Sequence, residues 1–319
     1  CAGAAEPNLA RPATHRALLD ICAGRARHHG GMTATSSSES SRGVALVLLA
    51  STLWGTTGTA QSLGAGGLSP FWVGAAQLAV ASAFFACLRG LSPLPRRGPR
   101  MASGAAPAPV RLPLPVPLLA LASAGVAGYS ICFYAGVQRA GVGVGTAVAI
   151  GSGPIWAGLI QAVLLRSPPI GLWWLGTAVS VAGGALMVWG KGAAATTSWW
   201  GLALCLLAGL SYASYALVNK RLVALAPPLA VNLRVFSGAA LLALPVAAAL
   251  AGAPRFSLPS LAVVVYLGVV VSGLAYVAFS NGLRHIAGAT SVTLTLLEPV
   301  AAFGLAVAVV GEHQPLAAW

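Results

Sequence analysis

One carboxylate lies inside an apolar stretch of this chain. Glu298 stands ten residues into the apolar segment 288–311, about 15 Å deep at a rise of 1.5 Å per residue. A charge near the middle of a bilayer costs about 2.5–3.5 kcal/mol. Glu298 is therefore expected to be protonated, paired, or in contact with a wet cavity. Its functional interpretation is a proton-coupling or substrate-amine site; the alternative is a structural acid that bonds backbone groups freed by Pro299.

The one cation inside an apolar segment is Arg234, seven residues after Pro227. Its side chain could pair with Glu298 or bind a substrate carboxylate. A long side chain can also extend to the headgroups, and this is the interpretation favoured for Arg234. Gln77 takes the matching place seven residues after Pro70, so any ionic role at this position is confined to one half of the chain.

Aromatic and amide side chains supply a candidate lining for a pathway. Rings bind apolar or cationic solutes, and tyrosine hydroxyls can hold a polar group. The alternative for each is plain packing or an interfacial belt. The candidates are Trp54, Tyr129, Phe133, Tyr212, Tyr215, Tyr276 and Asn281.

The composition indicates which elements must position these residues. Hydrophobic residues make up 57% of the chain and charged residues 7%, whereas soluble domains carry about 25% charged residues. A spanning helix needs about 20 apolar residues, and nine segments qualify. The sequence therefore predicts an all-α, polytopic integral membrane bundle. The segments are 43–62, 70–88, 116–137, 143–165, 170–189, 199–218, 227–250, 259–282 and 288–311.

The sequence contains an internal repeat. Residues 126–154 align with 271–299 without a gap, so that Gly128 meets Gly273 and Pro154 meets Pro299. Together with the matching prolines that start the second and seventh segments, this predicts a unit of five helices. An odd unit inserted twice points in opposite directions, which relates the halves by a pseudo-two-fold axis in the membrane plane.

The repeat sets the expected domains. The first unit is 43–190, and the second, 198–319, lacks its last helix, so about nine of ten expected helices are present. The chain starts at Cys1, and Met32 is the more natural start, with residues 1–31 as upstream read-through or a fragment end. For the missing tenth helix, a sequence cut short after Trp319 is favoured over a protein of nine helices. Residues 1–42 are polar and are predicted to be a disordered tail.

Charge predicts the orientation in the membrane. If the amino terminus is cytoplasmic, nine lysines and arginines occupy inside loops and three occupy outside loops. Because positive residues favour the inner side, the chain is predicted to be a multi-pass protein of the cytoplasmic membrane with its amino terminus inside. The cations form no stripe with interleaved aromatic residues, which argues against nucleic-acid binding.

Three motifs carry a resemblance to a known family. LWGTTGTAQSLGAGGLSP at 53–70, GLALCLLAGLSYASYALVNKRL at 201–222 and TLLEPVAAFGLAVAVVGE at 295–312 resemble EamA-type transporters of the drug/metabolite transporter superfamily. The resemblance implies a bundle of ten helices in inverted five-helix repeats that moves small metabolites, often outward. The departures are Gln77, where many relatives carry arginine, LLRSPP at 164–169, where an acidic residue is usual, and the absent tenth helix.

Several other activities are excluded by missing motifs. ALMVWGKG at 185–192 lacks the first glycine and the Ser/Thr of a phosphate-binding loop, and no cysteine, histidine or carboxylate cluster has metal-ligand spacing. The chain is therefore predicted not to be an enzyme and to need no cofactor or metal.

The predicted function is that of a secondary transporter. It would move a small metabolite, amino acid or drug-like solute by gradient-coupled alternating access, with the solute, protons and the bilayer as its partners. A homodimer is left open. The alternative is a non-transporting membrane protein, either a receptor-like component or an inactive truncated fragment.

Overall fold

The computed structural model describes residues 34–64, 67–91, 114–140, 142–189 and 198–310, and within these ranges the regular structure is helical with no strand. The elements follow the chain in a simple order. They are α1 (Ala34–Gly55), α2 (Thr57–Gly64), α3 (Pro70–Leu91), α4 (Val116–Ala140), α5 (Val142–Val163), α6 (Gly171–Trp189), α7 (Trp199–Leu225), α8 (Pro228–Ala251), α9 (Leu258–Tyr266), a π-helical segment at Leu267–Leu274, α10 (Ala275–Gly282), α11 (Gly288–Leu294), α12 (Leu297–Leu305) and a second π-helical segment at Ala306–Val310.

The predicted class of fold, a polytopic helical membrane protein, is confirmed. Eight helical stretches in the described ranges are long and apolar enough to cross a membrane, and they fall on eight of the nine predicted segments. The remaining segment, 170–189, is helix α6, although it is not among those eight. Helices suit this environment because each satisfies its backbone hydrogen bonds internally, without water.

The amino-terminal boundary differs from the prediction. Helix α1 begins at Ala34, inside the segment 1–42 that was predicted to be disordered. Residues 34–42 contain no glycine or proline, and extending a formed helix is much easier than starting one. The prediction was therefore wrong for 34–42, while residues 1–33, with Met32, lie outside the described part of the chain.

The first predicted segment, 43–62, is interrupted at Thr56, between α1 and α2. The Thr56 hydroxyl donates to the Leu53 carbonyl at 2.6 Å, and the Thr57 hydroxyl donates to the Trp54 carbonyl at 2.6 Å. Hydroxyl groups that bond nearby carbonyls compete with the helical backbone ladder. This places the interruption two residues after Trp54.

The contacts between helices recur in matched pairs. Helix α4 packs on α7, and α10 packs on α1; α5 packs on α7, and α12 packs on α1. Likewise α4 packs on α8, and the π-helical segment Leu267–Leu274 packs on α3, while α3 and α8 pack on each other. These pairs are explained if each helix of the first half has a counterpart in the second half. The counterparts of α1, α3, α4 and α5 are then α7, α8, α9–α10 and α11–α12. Replacing every helix by its counterpart converts one contact of each pair into the other.

Two glycine contacts illustrate this pairing. A Cβ atom on Gly43 would lie 2.7 Å from the Cβ of His285, and one on Gly282 would lie 2.9 Å from the Gly43 carbonyl oxygen. In the other half, a Cβ atom on Gly136 would lie 3.1 Å from the Gly201 carbonyl oxygen. Helices α1 and α10 therefore approach as closely as α7 and α4, and a larger residue at Gly43 or Gly282 would push α1 and α10 apart.

Candidate functional site

The predicted helix 288–311 is broken at Thr295 and Leu296, between α11 and α12. Pro299 has no N–H group, and its ring would clash with the carbonyl group four residues earlier, which belongs to Thr295. That carbonyl accepts the Glu298 N–H at 2.9 Å instead. The Thr295 hydroxyl also donates to the Val292 carbonyl at 2.7 Å, which further favours a turn.

The matching site in the first half keeps its helix. Pro154, the repeat counterpart of Pro299, lies inside α5, which runs unbroken from Val142 to Val163. Four residues before Pro154 stands Ile150, which has no hydroxyl group to bond the backbone. The two halves therefore differ at the same point: one carries a continuous helix, and the other carries an interruption with Glu298 beside it.

Helix α1 packs directly against this interruption. The Ser51 hydroxyl donates to the Val47 carbonyl at 2.8 Å and lies 3.4 Å from the carbonyl oxygen of Leu294, the last residue of α11. A Cβ atom on Gly55 would lie 2.9 Å from the Glu298 carbonyl oxygen. Glycine at position 55 thus lets α1 reach the backbone beside the acid.

Glu298 lies in the first turn of α12 and is partly buried. The amino-terminal end of a helix carries a partial positive charge that favours a carboxylate. Its side chain makes no hydrogen bond or ion pair with any other residue that the structure describes. It lies within electrostatic reach of the hydroxyl groups of four tyrosines, which are Tyr129, Tyr134, Tyr212 and Tyr276. Within the described ranges the acid therefore has no polar partner, and it lies close to aromatic side chains.

These rings form a continuous aromatic cluster drawn from five helices, which are α1, α4, α7, α8 and α10. Starting in α4, Phe133 stacks on Tyr129 with 5.4 Å between centroids, and Tyr129 lies 5.7 Å from Tyr212 of α7. Tyr212 meets Trp54 of α1 edge-on at 6.0 Å, and Trp54 lies 5.0 Å from Tyr276 of α10. The aromatic cluster joins both halves. Its other members are Tyr134, Tyr215, Phe236 and Phe279.

Two polar groups within the aromatic cluster have different environments. The Trp54 Nε1–H group donates to the Val271 carbonyl at 2.9 Å, which links α1 to the π-helical segment of the other half. The Tyr212 hydroxyl is buried; the Thr295 hydroxyl lies near it, but none of the described residues meets hydrogen-bond geometry with it. A buried polar group without a partner is costly unless water or a ligand meets it, so Tyr212 retains an unused donor near Glu298.

A buried amide network borders the aromatic cluster in the second half. Asn219 Nδ2 donates to the Tyr215 hydroxyl at 2.9 Å and to the Ser280 hydroxyl at 3.0 Å. Ser280 donates to Asn232 Oδ1 at 2.7 Å, and Asn232 Nδ2 donates to the Tyr276 carbonyl at 3.0 Å. Asn219, Ser280 and Asn232 are almost completely buried. The network fastens α7, α8 and α10 together beneath the rings.

Gln77 has a similar role in the first half. Its Nε2 group donates to the Ser130 hydroxyl at 3.5 Å, and its Oε1 atom accepts from the Tyr134 hydroxyl at 3.4 Å. Gln77 therefore connects α3 to α4 and orients Tyr134, one of the tyrosines around Glu298.

The structure brings most of the predicted site residues together. One region at the contact between the halves contains Glu298 and the rings. Gln77 joins this region through its hydrogen bond with Tyr134. The predicted residues brought together are Trp54, Tyr129, Phe133, Tyr212, Tyr215, Tyr276, Gln77 and Glu298.

Two predicted residues form no hydrogen bond, ion pair or ring contact with this region within the described ranges. Arg234 is exposed on α8 and forms no ion pair within the described ranges, so the pairing with Glu298 that was considered for it is absent. Asn281 donates from Nδ2 to the Val277 carbonyl of its own helix at 2.7 Å, and its amide is thereby occupied.

Several residues of the region were missed by the sequence analysis. Asn232 is an amide inside the predicted segment 227–250, which is the same signal that singled out Gln77, and it could have been found. Asn219 lies one residue past the predicted end at 218. Tyr134 and Phe279 are aromatic residues inside predicted segments, as Phe133 and Tyr276 are, and could have been included. Ser280 carries no signal that separates it from an ordinary packing residue.

A groove of about 450 Å³ opens beyond this region, between α2, α9 and α12. The Tyr266 hydroxyl donates across it to the Thr56 hydroxyl at 2.9 Å. Leu305, on its wall, lies two turns along α12 from Glu298, so the groove and the acid share one helix without sharing a lining. The lining residues are Thr56, Thr59, Ala60, Gly64, Pro259, Ala262, Val263, Tyr266 and Leu305.

Comparison with known proteins agrees with this architecture. The EamA-like transporter family matches the chain twice, over residues 41–189 and 199–319. The chain is 30% identical over 273 residues to the "Uncharacterized transporter YwfM" of Bacillus subtilis (strain 168), covering 86% of this chain and 87% of that protein. A solved crystal structure superposes with a TM-score of 0.70 at 18% identity, covering 87% of this chain and 91% of the other; at that identity it supports the fold alone. The chain belongs to the EamA-like transporter family.

Proposed function

We propose that this membrane transporter moves a small metabolite, amino acid or drug-like solute by gradient-coupled alternating access, with Glu298 as the residue that binds solute or a proton. One observation carries the proposal. Glu298 is a carboxylate in the first turn of an interrupted membrane helix, close to the aromatic cluster and without a polar partner in the part of the chain that the structure describes. Interrupted helices with free polar groups near mid-membrane are where secondary transporters bind their solutes.

The proposal includes two inverted repeats, 43–190 and 198–319, related by an axis in the membrane plane. The paired helix contacts and the two successive family matches support this arrangement. The lysine and arginine bias supports a cytoplasmic amino terminus in the cytoplasmic membrane. Rocking of one half against the other would then expose the region around Glu298 to each side in turn.

Glu298 is suited to coupling because it can exist in two forms. A carboxylate in a poorly solvated site is stable when it holds a proton or a cationic group, and it is costly when bare. Solute and proton would then compete for the same oxygen atoms, which links the movement of one to the gradient of the other. The unused Tyr212 hydroxyl would hold a polar group of the solute.

The test compares cells that contain the protein with cells that lack it, across a screen of metabolites and drugs inside and outside the cell. The variant is Glu298→Gln, and the matched control is Glu39→Gln, whose carboxylate is exposed near the start of α1. We expect the wild type and Glu39→Gln to change the distribution of at least one solute and Glu298→Gln to lose that change. If the wild type shifts no solute, the non-transporting alternative is favoured.

A further inference from the structure

We propose that the solute carries an organic cationic group, an amine or a quaternary ammonium-like centre, held beside Glu298 with its apolar part against Trp54, Tyr129, Tyr212 and Tyr276. The inference rests on the proposed function and deepens it by naming the class of solute.

The charge of the region points to a positive partner. Glu298 contributes a carboxylate, and no described lysine or arginine neutralises it: Arg234 is exposed elsewhere on α8, and the Lys220 ammonium group donates to the Leu283 carbonyl. Opposite charges attract strongly in a poorly solvated site, and like charges repel just as strongly. A cationic solute would neutralise the acid, whereas an anionic solute would add a second negative charge.

The rings define the rest of the solute. Aromatic faces attract cations within about 6 Å of the ring centroid, most strongly for tryptophan. Trp54 lies 5.0 Å from Tyr276 and 6.0 Å from Tyr212, at steep interplanar angles of 58° and 88°. Because the three rings are tilted against one another, their faces point in different directions. A cation with apolar substituents can therefore contact more than one ring.

The same surroundings disfavour an inorganic cation. Magnesium and calcium ions take six or more oxygen ligands, and no group of three histidine, cysteine or acidic side chains occurs anywhere in the described ranges. Glu298 offers one carboxylate among rings. A soft, weakly hydrated organic cation fits this combination, because it leaves water at little cost and gains contact with the rings.

The test measures binding to the purified full-length protein in detergent by equilibrium dialysis. The probes are tetraphenylphosphonium and tetraphenylborate, which match in size and shape and differ in the sign of their charge. We expect the wild type to bind the phosphonium at least tenfold more tightly than the borate. Glu298→Gln should weaken phosphonium binding at least tenfold and make borate binding equal to or tighter than that of the wild type, because the repelling charge is gone, while Glu39→Gln should change neither.

A ring variant separates ring faces from hydroxyl groups. Tyr212→Phe keeps the ring face and Tyr212→Ala removes it, so Tyr212→Ala should bind the phosphonium more weakly than Tyr212→Phe. Equal binding of the two ions by the wild type would overturn the inference, and this result does not depend on any variant folding. Undiminished phosphonium binding by a folded Glu298→Gln protein would overturn it as well.

The two proposals fail in different ways. Flux of a neutral or anionic solute that requires Glu298, without a preference for the phosphonium, would refute the cationic solute and leave the transport proposal standing. Glu298-dependent phosphonium binding without flux of any solute would refute the transport proposal and leave the cation site itself supported.

Discussion

The buried amide network gives a prediction whose size can be worked out from its geometry. Ser280 is 0% exposed; it donates to Asn232 at 2.7 Å and accepts from Asn219 at 3.0 Å. Replacing it with alanine removes both bonds and leaves one acceptor and one donor unmet. Hydrogen bonds between membrane helices average about 0.6 kcal/mol and reach about 1.7 kcal/mol. Two bonds therefore predict a loss of about 1–3 kcal/mol in the free energy of unfolding.

The assay is reversible unfolding in mixed micelles of increasing denaturing detergent. Since about 1.4 kcal/mol is a factor of ten, Ser280→Ala should lower the ratio of folded to unfolded protein by roughly fivefold to a hundredfold. Thr52→Ala is the control, because its exposed hydroxyl bonds only the Leu48 carbonyl of its own helix at 3.0 Å. It should stay within about 0.5 kcal/mol of the wild type.

A second variant tests the reasoning about unmet partners. Removing one member of a buried pair leaves the other unsatisfied, whereas removing both can be nearly neutral. The double variant Ser280→Ala with Asn232→Ala should therefore lose less than the sum of the single variants. A Ser280→Ala protein as stable as Thr52→Ala would refute the claim that the network fastens α7, α8 and α10.

Two further changes probe the contacts between the halves. Gly43→Ala should destabilise the protein by about 1–3 kcal/mol, because the new Cβ would lie 2.7 Å from His285 Cβ. The control is Gly58→Ala, whose new Cβ would have nothing within 4 Å and which should be neutral or stabilising in thermal unfolding. Equal melting temperatures for Gly43→Ala and Gly58→Ala would contradict the close approach of α1 to His285. Trp54→Phe keeps a ring but loses the bond to the Val271 carbonyl, so detergent unfolding should show a loss of about 0.6–1.7 kcal/mol, and an unchanged midpoint would show that the bond contributes nothing.

The fold follows from features that act over whole segments. A stretch of about 20 apolar residues has few alternatives to a helix in a membrane, so segments such as 116–137 and 227–250 are helical as predicted. The repeat adds the pairing of Pro70 with Pro227, because duplicated sequence implies duplicated packing. Nothing in composition, however, distinguishes residues 34–42, where a helix extends into a polar run.

The site could be predicted only in part, because its details depend on neighbours distant in the chain. Glu298 and Trp54 stand out by residue type, since a carboxylate and an indole are unusual in apolar segments. Whether Arg234 points inward depends on the rotation of α8 about its own axis. The position of Arg234 seven residues after Pro227 does not determine that rotation. Tyr134 enters the region because Gln77, on another helix, holds its hydroxyl group, and no local pattern records that bond.

The central claim is that Glu298 binds what the protein moves. The most direct measurement is gradient-driven flux of the identified solute into proteoliposomes that contain equal amounts of wild type, Glu298→Gln or Glu39→Gln. We expect Glu298→Gln to insert and fold normally but to carry at least tenfold less flux, while Glu39→Gln should match the wild type. Flux through Glu298→Gln equal to that of the wild type would contradict the account.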